Sequence, residues 1–103
     1  MTDSREYGTF RDFYPFYLTE HSRSGTRRLH FTGTLLVLLT LAYAIISRRW
    51  GLLGLVPVFG YGFAWVGHFF VERNRPATFR YPLFSLVGDF RMFADMLRGR
   101  VPF

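Results

Sequence analysis

Hydrophobic and polar positions divide this chain into two apolar blocks with charged flanks. Phe31 to Ser47 contains no charged residue, and Trp50 to Val71 has only His68 and Tyr61 as titratable groups. About 20 apolar residues cross the hydrocarbon core of a bilayer, so each block has the length of a membrane span. Leu35 to Ile46 shows almost no polar face, whereas a helix in a soluble bundle keeps one. A soluble bundle with two buried helices is the competing reading. The first block begins thirty residues in and lacks a small-residue cleavage pattern, so it does not read as a signal peptide.

The flanks predict further elements. Residues 1–8 are polar and read as frayed. Thr9 to Glu20, "TFRDFYPFYLTE", is dense in Phe and Tyr, which favour the headgroup layer, and reads as a short interfacial helix whose regularity Pro15 limits. "HSRSGT" is a turn in which Ser24 or Thr26 can cap a first span over 27–49. A second span follows over 51–73, bent by Pro57. After the Arg75-Pro76 break, Pro82 starts an interfacial helix over 82–98, with Leu83, Leu86, Val87, Phe90, Phe93 and Leu97 to one side and Arg91, Asp95 and Arg98 to another. The fold predicted is an all-α membrane protein, a two-span transmembrane helical hairpin with N- and C-terminal interfacial amphipathic helices, in one domain over 1–103.

Charge orients the hairpin. The chain has 13 arginines, no lysine and seven acids. Five arginines precede the first span, Arg48 and Arg49 lie between the spans, and six follow the second. The positive-inside rule then places both termini in the cytoplasm, with the inner membrane the location if the source is bacterial. Arginines that flank apolar spans, rather than line a soluble face, argue against a nucleic-acid partner. With no cysteine, neither disulfides nor thiolate metal ligands are available.

The polar residues near the spans carry the candidate chemistry. His30 lies 20 residues before Trp50 and His68 lies 18 after it. At the helical rise the two differ in depth by only about 3 Å, at the mouth of one helix pair. His21, in the preceding turn, can fold back over the same mouth. Gly60, Ala64, His68 and Glu72 recur every four residues, a stripe whose small members admit a neighbouring helix, either within the hairpin or in a homodimer. Polar groups in a span are costly and tend to be functional. Three imidazoles beside a carboxylate, without thiolates, suit iron(II), with zinc, manganese or copper as alternatives. Glu72 can ligate the metal directly or hold a ligand histidine from behind. Arg28 and Arg75, with Asn74 beside the latter, are candidates to bind a substrate carboxylate, and the arginines can also serve as interfacial anchors. A haem between His30 and His68, and histidines that merely bond backbone carbonyls, are the non-catalytic alternatives.

"FYPFYLTEHSRSGTRRLHFTGT" and "GYGFAWVGHFFVERNRPATFRYPLFSL" together resemble the Mpo-like family. The matching features are an aromatic FY before a histidine, the His21-x8-His30 spacing, and the block of Gly67, His68, Glu72, Pro76 and Ala77. The resemblance implies a membrane-bound iron(II) dioxygenase of fatty acid alpha-oxidation. Such an enzyme converts a 2-hydroxy fatty acid, with O2, to the acid one carbon shorter, as in the metabolism of phytosphingosine to odd-numbered acids. It implies His21, His30 and His68 as the catalytic iron ligands. One departure is evident: the fungal enzymes carry additional spans between the two motif blocks, which here are joined by a single hairpin, so a shorter or different substrate is expected.

Overall fold

A computed structural model describes residues 7–103; the frayed segment expected over 1–8 falls, for residues 1–6, outside them. Every regular element among the described residues is helical: α1 (Phe10–Thr19), α2 (Ser24–Ser47), α3 (Leu55–Val66) and α4 (Pro82–Leu97), with 3₁₀ turns at Trp50–Gly54 and Ala77–Phe79. Trp50–Gly54, α3 and a π-helical segment, Gly67–Glu72, form one continuous 23-residue rod.

The rod and α2 are both long and apolar enough to cross a membrane. Their surfaces argue for lipid rather than a protein core. Only 28 % of the most apolar window of α2, and 17 % of that of the rod, is buried within the protein. Leu39, Ile45, Ile46, Val58 and Phe70 all point outward. The protein is therefore an all-α membrane protein whose hairpin leaves most of its apolar surface for the bilayer.

Small residues bring α2 and the rod together. A Cβ on Gly33 would stand 2.7 Å from Phe59 O, and one on Gly67 would stand 3.0 Å from Thr26 Cγ2. Val37, Ala44 and Ala64 fill the seam between them. Close backbone approach of this kind is how helices associate where hydrophobic burial offers no advantage. At the far end Arg48, in the left-handed region with φ 58°, stops α2 and turns the chain.

Two expectations need correction here. The first span begins at Ser24 rather than Arg27, and neither Ser24 nor Thr26 is its N-cap, a position held by Arg23 with no side-chain cap bond of its own. Pro57 falls in the first turn of α3, directly after the 3₁₀ turn at Trp50–Gly54.

The densest packing lies at the end where the termini meet. Phe13 and Tyr17 of α1 are fully enclosed, against Met92 and Met96 of α4, Ala77 and Val101. Thus the aromatic side of α1 is spent largely inside the protein. Tyr7 is packed as well, stacked on Phe16 at a centroid distance of 5.3 Å. On α4, Ser85, Gly88, Met92 and Met96 face inward, and the apolar row of Leu83, Leu86, Val87 and Leu97 stays exposed.

Candidate metal centre

Three segments deliver one histidine each to a single point. His21 follows α1, His30 lies in the first two turns of α2, and His68 lies in the π-helical end of the rod. All three are buried, and one nitrogen of each lies within 4.8 Å of the other two. The ring of His21 sits between the others, with centroids 4.6 Å from His30 and 4.5 Å from His68.

The hydrogen bonds decide which nitrogens face inward. His21 Nδ1 lies 2.8 Å from Tyr17 O, an acceptor only, so that nitrogen carries the proton and Nε2 keeps its lone pair. His68 Nδ1 lies 2.8 Å from Asn74 Oδ1. The orientation of Asn74 is fixed in turn, because its Nδ2 donates to Glu20 O at 3.1 Å. His30 Nδ1 faces Asp89 Oδ1 at 3.6 Å, beyond hydrogen-bonding distance. Each ring therefore turns Nδ1 toward an oxygen, which leaves Nε2 as the nitrogen for a shared ligand, the arrangement usual for histidines that bind metals.

A bound metal fits these residues. His21 Nε2 is buried without a hydrogen-bond partner, a costly state for a polar atom unless something binds it. Burial, with His68 beside it, holds His21 down to about 3, so the ring is neutral and able to ligate at any ordinary pH. A haem does not fit. The His30 and His68 rings are 5.6 Å apart at an interplanar angle of 83°, and the cavity between them measures about 10 Å³.

Glu72 is turned away from this point. Its Oε1 accepts from Ser22 Oγ at 2.8 Å, and its Oε2 accepts from the backbone N–H of Arg23, the N-cap residue of α2. In effect Glu72 performs from another helix what the acid at the third helical residue of a capping box performs from its own. Arg27 holds the same loop from the other side, through His21 O at 3.0 Å and Ser22 O at 2.7 Å.

The residues expected to bind a substrate carboxylate are also distributed otherwise. Asn74 is committed to His68 and Glu20. Arg28 donates to Phe103 O at 3.3 Å and lies over the Phe103 ring. Arg75 lies over Phe79 and, with Arg80, lines an outer pocket that shares Pro76 and Ala77 with the histidine cavity.

Two polar residues of α4 join the site without any sequence signal to announce them. Asp89 lines the cavity, accepts from Tyr17 Oη at 2.6 Å, and is pushed up to about 7 by burial, a rise that the tyrosine bond partly offsets. Ser85 also lines it, and its buried Oγ has no hydrogen-bond partner. Periodicity placed α4 but could not say which of its polar residues the tertiary fold would turn inward.

Fold and site together define a small all-α membrane protein with a buried three-histidine centre at one end of a hairpin. Residues 7–101 match the family described as 2-hydroxy-palmitic acid dioxygenase Mpo1-like, and the chain belongs to that family. Among curated proteins and solved structures there is no match to this chain.

Proposed function

We propose that this protein is a membrane-embedded iron(II) dioxygenase that shortens 2-hydroxy fatty acids by one carbon, with His21, His30 and His68 as the metal ligands. The observation that carries the reading is the convergence of three buried imidazoles, two of them fixed by a hydrogen bond behind the ring, in a chain whose family description names such an activity.

Iron held here would supply oxygen activation and a template for the hydroxyl and carboxylate of the substrate. The chain's own residues do the rest. Tyr17 O and Asn74 hold the rings of His21 and His68 in orientation, and Asp89 faces the ring of His30. Ser85 Oγ, buried and unpartnered, offers a hydrogen bond to the polar head of the substrate. Arg75 and Arg80, at the outer pocket, attract the carboxylate as it approaches. Trp65, Pro76 and Ala77 give the cavity apolar surface and limit water. Glu72 acts at a remove, by fixing the loop that carries His21. The exposed apolar row of α4 rests against lipid, with both termini on the cytoplasmic side.

Metal analysis of protein purified in mild detergent, combined with an assay of 2-hydroxypalmitate under oxygen, tests this. Near-stoichiometric iron, lost in each of His21→Ala, His30→Ala and His68→Ala, together with formation of pentadecanoate, is the expected result. Iron(II)-loaded protein that forms no shortened acid from any chain length overturns it.

A further inference from the structure

At about 10 Å³ the histidine cavity admits only the reacting end of a long molecule. Beside it lies a groove of about 260 Å³, and the two share Tyr61, Thr78 and Asp89. From that junction the groove follows the seam of the hairpin. Thr34, Val37 and Leu41 line it from α2, at the spacing of a single helix face, and Val56 and Gly60 line it from α3.

The lining is graded along its length. Its polar members, Asp89, Thr78, Tyr61 and Thr34, lie toward the histidines, where Pro82, Leu86 and Phe90 of α4 flank them, while Leu41 and Val56 at the far end are apolar. His30 and Leu41 are eleven residues apart on one helix, about 16 Å along its axis. A groove that carries its polar groups at the end that meets a buried ligand cluster, and is apolar toward its far end, is complementary to an amphiphile with one head and one tail. Gly60 keeps it open: a Cβ there would already stand 3.5 Å from Val37 Cγ2, so any longer side chain projects into the groove.

We infer that this groove holds the alkyl chain of the 2-hydroxy acid, and that Gly60 and Leu41 set the chain length accepted. The identity of the head group rests on the proposed dioxygenase reading; the course of the tail rests on the continuity of groove and cavity.

Photo-crosslinking tests the tail independently of turnover. The probes are 2-hydroxypalmitate with a diazirine at the chain terminus or at mid-chain, irradiated with the intact protein in nanodiscs and mapped by mass spectrometry. Terminal label is expected on Leu41 and Val56 and mid-chain label near Val37 and Gly60, each displaced by unlabelled 2-hydroxypalmitate. Gly60→Leu should cut the terminal label by at least about ten-fold, while Gly60→Ala, whose Cβ is accommodated, retains it and reports that the fold tolerates change there. Label on the outward Ile46 and Val58, undisplaced by competitor, overturns the proposal as ordinary lipid contact. Groove labelling without turnover would leave the groove standing and remove the dioxygenase reading; turnover with label only on the outer face would do the reverse.

Discussion

Asn74 Oδ1 accepts a hydrogen bond from His68 Nδ1 at 2.8 Å, across a reversal in which Arg73 adopts the left-handed conformation with φ 61°. The same turn is tied by Asn74 N donating to His68 O at 2.9 Å, so Asn74 holds both the backbone and the ring of one histidine. Asn74→Leu is expected to weaken metal binding by about 10- to 100-fold, the usual consequence of removing a partner from behind a ligating histidine. Asn74→Asp, which keeps an acceptor for His68 but loses the donor to the Glu20 carbonyl, should lose less affinity than Asn74→Leu. Competition with a metallochromic chelator gives the comparison, and equal losses in both variants would show that the acceptor is immaterial.

Glu72 separates two roles that the sequence left open. Bonded to Ser22 and Arg23, it stabilises the start of α2. Glu72→Ala should therefore cost about 1 kcal/mol, the scale of a lost helix cap, while metal stoichiometry in the folded protein is unchanged. Thermal unfolding in detergent, paired with elemental analysis, reads both quantities. Loss of the metal from a protein that remains folded would identify Glu72 as a direct ligand.

Gly88 should affect the metal centre without approaching it. A Cβ at this position would stand 2.9 Å from Tyr17 Cδ2 and Cε2, and the Tyr17 ring stacks on His21 at 4.2 Å while its carbonyl holds His21 Nδ1. The ring is fully enclosed and cannot retreat into solvent. Gly88→Ala is expected to destabilise the protein by about 1–3 kcal/mol through overpacking and to lower metal occupancy along with it. A Gly88→Ala variant with wild-type stability and metal content would show that α1 shifts freely.

Asp95 gives the fold an acid limit away from the histidines. It accepts from Tyr14 Oη at 2.8 Å and from Arg91 Nε at 3.1 Å, and these bonds hold its carboxyl below its ordinary 3.8 despite the burial that opposes them. A carboxyl lowered in the folded state contributes stability that is fully present above its unfolded value and is lost as pH falls through the folded one. Stability of the wild type should thus decline below about pH 4. Asp95→Asn should be weaker at pH 7, by about 1.5–3 kcal/mol, and flatter through the acid range. Unfolding measured from pH 7 to pH 3 compares the slopes, and parallel curves would remove Asp95 from the acid transition.

What the sequence revealed was what helical counting can reach. Two uncharged blocks and one turn are enough to bring His30 and His68 to a common depth, and the structure has them in one cluster with His21. The π-helical segment at Gly67–Glu72 has no local signature, yet it sets the final direction of His68. Asp89 and Ser85 were invisible for a different reason: they belong to a helix whose rotation is set by Tyr17 pressing against Gly88, a contact between residues 71 positions apart. Arg28 and Asn74 were read by charge and neighbourhood, whereas their directions depend on where the C-terminal Phe103 and the Glu20 carbonyl come to rest.

The turn at Arg48 lies at the opposite end of the hairpin from all three histidines, 18 residues along the chain from His30. Nothing in the centre is anchored to it: the oxygens behind the rings come from α1, α4 and the segment after the rod. The protein is thus divided into an end that must keep its register and an end that can be lengthened at little cost. A helix added there would deepen the part of the molecule in contact with lipid while the chemistry at the other end keeps its original parts.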